Sequence, residues 1–444
     1  MGGSLTAWLK TTWQSVNASY WFYPALFSMA ALALALCTIY LDRVGWGDWL
    51  GENGYLSAVR PDGATNMLNV IAGSMIGVAS TVFSITIAAV AYASGNYGPR
   101  LLTNFMEDRG NQFSLATFIA TFVYALTVLR AVRGPEEMEP FSPEGTLAPG
   151  FVPQISLMVA FVLAGISVAV LVFFLNHIPA SIRINSVLKG IGDRLILEIR
   201  DRFPDRATGK VEMQRPSGRP VTAAAVGYVQ LIEFERLHRI AKKVGGTLKL
   251  GVRTGDFVHP DVPLAYWSDD DELDDFRDEK IQSCFTLGGM RTPAQDLHFL
   301  IDELVEIGLR ALSPGINDPF TAITALHWLG AAIAELGRRD LVREFGEADG
   351  EEQDRLILLD DDFAHFVNRG FGAMRSALAT SPTAASVAFD TIVNVGTTID
   401  DETRLETLHR EAQQLMRQVR ENLTGPDLER VEARYHRIEQ DAWS

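Results

Sequence analysis

The sequence predicts an α-helical membrane domain of four spanning helices, followed by an α+β cytoplasmic domain made of a small barrel-sandwich-like β unit and a helical bundle. Three observations predict it. The 444 residues are 47% hydrophobic, an ordinary mean, but nearly all the long apolar runs fall before residue 179 and the rest is strongly charged. Four of those runs reach the roughly 20 residues that a helix needs to cross hydrocarbon. From Arg291 onward the apolar residues recur with a helical period. The expected domains are 1–178, four spanning helices; 179–220, a linker helix and loop; 221–267, a small β-rich unit; and 268–444, mainly helical.

The first span covers about 21–41, WFYPALFSMAALALALCTIYL, flanked by Trp13, Trp21, Tyr23, Tyr40, Trp46 and Trp49 as interfacial aromatics. Lys10 precedes it, and Asp42 and Arg43 follow where a cleaved leader would carry small residues. It therefore reads as an anchor that stays. The others cover 66–94, 113–133 and 154–178. Lipid offers backbone amides no partner, so all four are helices. The 134–153 loop holds Glu136, Glu137, Glu139 and Glu144 and no base, whereas Arg100 and Arg109 precede the third span and Arg183, Lys189, Arg194 and Arg200 follow the fourth. Lys and Arg favour the cytoplasm, which places both termini and the C-terminal domain there.

The second span carries the most distinctive pattern. Gly73, Gly77, Ser80, Ser84, Ala88 and Ala91 recur in steps of three and four, which puts them on one helix face. Ser74, Thr81 and Thr86 add hydroxyls. Two readings stand. The glycines form a close-packing motif whose hydroxyls bond back to their own helix. Or Gly73, Ser74, Gly77, Ser80, Thr81, Ser84 and Ala88 line a pore at the axis of a symmetric ring of copies. Arg130 and Arg133, at the outer end of the third span, likewise either snorkel and pair with Glu136 and Glu137 or set a positive pore mouth that favours anions.

Past the membrane, residues 179–220 read as a helix and a polar loop with Pro204, Pro216, Gly218 and Pro220. VTAAAVGYVQLI reads as a strand, EFERLHRIAKKVG as a helix, GTLKLGVR as a strand, and TGDFVHPDVPLAYW as a turn and strand. Gly255-Asp256-Phe257-Val258 with Pro263-Leu264-Ala265 resembles the hairpin of lipoyl/biotinyl barrel-sandwich domains. Asp261 lies near the place of that family's second Gly, and the swinging-arm lysine is missing, so carrier function is not implied. Asp269, Asp270, Asp271, Glu272, Asp274 and Asp275 crowd the segment Ser268–Lys280 without the glycine or spacing of a calcium loop. They read as a solvated helix start. Amphipathic helices follow over 293–312, 319–337, 361–378, 382–398, 401–422 and 425–441. Between the first two, Asp318 reads as an N-cap with Pro319 at the first helical position. This corner is either a plain helix connection or a gating or ligand corner using Asn317 and Asp318.

The net charge of −16 opposes a nucleic-acid partner. Cys37 and Cys284 lie in unlike surroundings, against a disulfide. The eight histidines give no zinc pattern; His298 and His327 flank the corner with no Cys or Glu at ligand spacing. No phosphate loop, dinucleotide fingerprint or nucleophile elbow occurs. Asp42, Glu107, Asp108, Arg109 and His177 are the only groups placed for a lipid-acting enzyme, and they form no recognisable constellation. No enzyme, cofactor or metal is expected. A secondary transporter is disfavoured because the second and fourth spans hold no ionisable residue in their cores.

Three stretches together resemble a bacterial membrane family known only as domain of unknown function 2254: Ser80–Thr86 running into Tyr97–Leu102, Asp108-Arg109-Gly110-Asn111-Gln112, and Ala311–Pro319. The resemblance implies residence in the bacterial inner membrane and the layout argued above, with no activity attached. The reading expected from the residues is a homo-oligomeric channel-like protein. It passes small ions through a pore lined by the second helix and is gated by the cytoplasmic domain. The alternative is a membrane-anchored sensor or scaffold whose cytoplasmic domain binds a ligand or protein.

Overall fold

The computed structural model describes residues 20–46, 60–98, 108–134, 150–204, 218–244, 247–268, 275–342 and 356–442. The chain forms two compact units, one within 8–183 and one made mainly by 184–444.

The N-terminal unit consists of α1 (Phe22–Arg43), α2 (Pro61–Tyr97), α3 (Arg109–Leu129) and α4 (Gln154–Ser181). α3 is the hub and packs against the other three. Half of its apolar stretch is buried, against 22–33% for α1, α2 and α4. Alanines at contact positions, among them Ala35, Ala64, Ala116, Ala125 and Ala160, let the helices approach closely. Phe118, Tyr124 and Phe174 fill the space between them. Leu36, Val70, Phe161 and Val172 point outward, an apolar surface suited to lipid. α2 has 37 residues, about 55 Å at helical rise. That exceeds the roughly 30 Å of hydrocarbon.

The C-terminal unit begins with α5 (Ile184–Arg202) and two small sheets. One has the order β1 (Arg219–Thr222), β5 (Pro263–Trp267), β3 (Leu248–Leu250) and β7 (Leu356–Ile357). The other is β4 (Phe257–Val258), β2 (Gly227–Ile232) and β6 (Phe285–Gly288). β7 runs parallel to β3 and every other pair is antiparallel. The stretch expected as one strand from 221 splits at its alanines, which are poor strand formers, so β1 and β2 join different sheets. β4 and β5 likewise pair with other strands, not with each other. Gly255 makes the turn ahead of β4 at φ +91, and a Cβ there would lie 2.2 Å from Asp296 Oδ2. α6 (Phe234–Val244) covers the core of Val229, Leu237, Leu248, Leu264 and Trp267. α7 (Asp275–Gln282) is the described end of the acidic segment, and Asp269 to Asp274 lie outside the described residues.

The rest is helical: α8 (Leu297–Ala311), α9 (Pro319–Gly337), α10 (Phe363–Val367), a π turn (Asn368–Gly372), α11 (Ala373–Leu378), α12 (Pro382–Gly396), α13 (Glu402–Asn422) and α14 (Gly425–Ala442). Aspartates cap four of them, with Asp296, Asp318, Asp362 and Asp401 accepting from backbone amides. Among the described residues five helices are long and apolar enough to cross a membrane, α1 to α4 and α9. α9 packs against α5, α8 and α12 and buries Leu326, Leu329, Ile333 and Leu336, so its apolarity is accounted for by the core of this unit.

Candidate functional site

The side of α2 facing its own unit carries Leu68, Ile71, Met75, Ala79, Val82 and Thr86. Gly73, Ser74, Gly77, Ser80, Thr81, Ser84 and Ala88 fall on the other side, and all seven are exposed. A Cβ on Gly73 or Gly77 would meet nothing within 4 Å. The small-residue face is thus open in the single chain. Two of its hydroxyls are already engaged: Thr81 donates to the Gly77 carbonyl at 3.0 Å and Ser84 to that of Ser80 at 2.9 Å. Such bonds leave the face smooth, while the hydroxyl oxygens still offer lone pairs outward.

Polar groups gather at the two ends of the N-terminal unit. At one end Asp42 of α1 accepts from Ile155 N (2.8 Å), Ser156 N (3.0 Å) and Ser156 Oγ (2.7 Å). A carboxylate there satisfies the free amides at the start of α4 and suits the helix dipole. Arg133 shares this end, paired through its backbone with Phe151. Arg130 is exposed and Arg133 half-buried. Glu136 and Glu137, their expected partners, lie outside the described residues. At the other end Asp108 caps α3, and both its oxygens lie 2.9 Å from His177 Nε2 of α4. Gly110 makes this possible, because a Cβ on it would sit 2.5 Å from His177 Nε2. Between the ends, Thr38 bonds Tyr124 and Thr121 bonds Ser167, each at 2.9 Å, tying α3 to α1 and α4.

In the C-terminal unit the expected corner is well determined. Asn317 adopts a left-handed φ of 50. Asp318 spends one oxygen on Thr321 N (3.1 Å) and the other on Thr321 Oγ1 (2.6 Å). Its carboxylate is engaged in starting α9.

A second centre sits elsewhere. His298 opens α8, Asp361 follows β7, and His365 lies in the first turn of α10. The caps Asp296 and Asp362 fix the two helix starts. His298 Nε2 is 3.0 Å from Asp361 Oδ2, and His365 Nδ1 is 3.6 Å from Asp361 Oδ1. Arg253 grips Asp361 Oδ1 at 2.6 Å. Burial raises the Asp361 carboxyl, but His298, Arg253 and His365 outweigh it and hold the group below its ordinary value. Burial also pushes the His365 imidazole down, helped by His298, Arg253 and Arg369 against the pull of Asp361. A cavity of about 40 Å³ adjoins His298, Asp361 and Arg253.

The model of a family described as "predicted membrane protein (DUF2254)" matches residues 17–393. The chain belongs to this family. The matched segment holds the α2 face, both polar ends of the N-terminal unit and the His298 centre. The chain is also similar to an uncharacterised protein of Mycobacterium bovis and to one of Mycobacterium tuberculosis. Each is 30% identical over 290 residues, 63% of this chain and 54% of the relative. The chain thus spans about half the length of the relatives it matches. No solved structure matches it.

Two groupings escape a reading of the sequence. Asp108 and His177 are 69 residues apart and meet only because α3 and α4 pack side by side. His298 gains its partners from a segment beyond α9, joined through the two-residue strand β7.

Proposed function

We propose that this family member is a homo-oligomeric, channel-like protein of the bacterial inner membrane that passes small ions. In this reading α1 to α4 are the four spans, both termini and the C-terminal unit are cytoplasmic, and α2 from each copy lines the pore. The C-terminal unit then acts as gate. One observation carries the reading: the face from Gly73 to Ala88 is open in the single chain. It is small and hydroxyl-bearing where the rest of the outer surface is bulky and apolar. A lipid-facing role gives such a face no advantage, whereas packing around a shared axis does. Arg130 and Arg133, at the end shared with Asp42, would then give the mouth a positive ring. Asn317 and Asp318 serve the start of α9 and transmit the gate's movement without touching a ligand. Nucleic acid has no place in this reading.

The test is single-channel recording of the purified, reconstituted protein in asymmetric KCl. Discrete currents with a reversal potential on the chloride side are expected. Gly77→Leu and Ser84→Leu, which fill the face, should abolish the current. Normal currents in both variants, with normal assembly, remove α2 from the pathway.

A second reading, a membrane-anchored sensor or scaffold, draws on the engaged hydroxyls of Thr81 and Ser84. There the face only packs copies together and the C-terminal unit binds the ligand. Silent bilayers from a monodisperse oligomer favour it.

A further inference from the structure

We propose that His298, Asp361 and His365 form a binding site for one divalent transition-metal ion of the zinc-like, borderline class. The proposal does not depend on the pore reading.

The donor set comes first. Two imidazoles and a carboxylate suit zinc, cobalt and nickel, and suit calcium or magnesium poorly. One donor atom from each of the three residues lies within 4.8 Å of the others. In a tetrahedral site with bonds of about 2.0–2.2 Å, ligand atoms stand about 3.3–3.6 Å apart. His298 Nε2 stands 3.0 Å from Asp361 Oδ2 and His365 Nδ1 stands 3.6 Å from Asp361 Oδ1, so each imidazole is near ligand spacing from one oxygen of the carboxylate. One ion would draw both rings toward a shared point, with the three donors already within 4.8 Å of one another.

The surroundings add independent support. His298 Nε2 is shut off from solvent and faces the Asp361 carboxylate at 3.0 Å. Arg253 holds one oxygen of Asp361, the kind of outer contact that orients a ligating carboxylate. The adjoining cavity of about 40 Å³ has room for water, since one water needs on the order of 10–15 Å³. A three-residue site completed by water keeps an open position, as exchangeable and catalytic metal sites do.

The position suggests a consequence. The ligands come from the start of α8, the segment after β7 and the start of α10, so a bound ion would staple the sheet region to the helical region. Arg369, one turn beyond His365, reaches Asp302 in α8 at 2.8 Å, so the same helices are already joined there. Metal should therefore raise the stability of this unit without requiring a rearrangement.

The experiment uses the full-length protein in detergent, purified without a polyhistidine tag and stripped with a chelator. Co²⁺ is titrated in and followed by visible absorption and equilibrium dialysis, then displaced by Zn²⁺. Expected are one Co²⁺ per chain with the absorption of a nitrogen- and oxygen-ligated ion, loss of the bands on adding Zn²⁺, and a rise in unfolding temperature with either metal. His365→Gln should weaken binding roughly tenfold or more. Its side chain is 39% exposed, so the metal-free protein should fold as before. His298→Gln should do the same, and if that more buried variant fails to fold, His365→Gln decides. No stoichiometric Co²⁺ binding overturns the proposal. So does binding that is unchanged in His365→Gln, which would leave an Arg253–Asp361–His298 ion cluster only.

Discussion

The two units of this chain solve the burial of polar groups in opposite ways. The N-terminal unit keeps its carboxylates at the helix ends, where Asp42 and Asp108 cap α4 and α3. Its interior is tied by hydroxyl pairs such as Thr38–Tyr124 and Thr121–Ser167. The C-terminal unit instead draws carboxylates into its packing and answers them with arginines, some of which reach in from the surface. Arg291 and Arg369 share Asp302, Arg200 and Arg339 share Glu335, and Arg375 holds Glu411. The difference follows from the surroundings available. Lipid gives an unpaired charge no escape, so ions belong at the rim. A unit that packs its apolar helices into a core of its own can tolerate a charge with two or three partners there.

The contrast makes a ranked set of expectations for unfolding of the full chain in detergent. The largest effect should come from breaking an interior pair. Glu411 is 5% exposed, and Glu411→Ala leaves the Arg375 guanidinium without its partner. A loss of about 3–5 kcal/mol is expected in urea unfolding; a change under about 1 kcal/mol would mean that water reaches this pair. Next is Gly110→Leu in the N-terminal unit. The new side chain must displace His177 from Asp108, at a cost of about 1–3 kcal/mol, the usual price of overpacking. A silent variant would show that the rim pair is loose. Asp42→Ala removes a carboxylate from the start of α4 and should cost about 1–2 kcal/mol, as loss of a helix cap does. Ser156→Ala, which keeps the two backbone bonds to Asp42, should cost less.

The smallest effect is expected from acid. Burial pushes the Asp302 carboxyl up, but Arg369 and Arg291 more than offset that and hold it below its ordinary value. A lowered carboxylate adds stability above the unfolded-state pKa and loses it as pH falls through the folded value. The unfolding midpoint of the C-terminal unit should therefore drop below about pH 4. Asp302→Asn should lower stability at neutral pH and flatten that drop. An unchanged acid profile in the variant would assign the loss to other carboxylates.

The same contrast explains what could be read from the sequence. Hydropathy marks α1 to α4 most strongly, with mean hydropathies of 1.7 to 2.9 against 1.2 for α9, whose apolar stretch is more than half buried in its own unit. The Asp318 cap is legible because Asp before Pro319 is a local signal, and the structure places it at the start of α9. The open face of α2 was legible as a pattern, but its direction depends on which side α3 occupies. What stayed hidden depends on long-range packing. The two-residue strand β7 has too little pattern to announce itself, and the split of the 221–232 stretch needed its partners. The helix expected over 361–378 holds a π turn whose wider winding sets Arg369 against Asp302. His298, Asp361 and His365 meet through these same elements, so no local motif announces them. Beyond the family and the α2 face, the Asp108–His177 pair and the His298 centre rest on packing that sequence spacing does not encode.

The most direct test of the central claim concerns the α2 face itself. Ser84→Cys is placed in a Cys37→Ser background, because Cys37 is the exposed native thiol, and single-channel current is recorded while a charged, membrane-impermeant thiol reagent is added. If the face lines a pore, the reagent reacts in seconds and changes the conductance, while Phe83→Cys, one position round the helix among the bulky outward residues, stays inert. Equal inertness of Ser84→Cys and Phe83→Cys, in a protein that still assembles, would show that the face meets lipid or another helix and carries no ions.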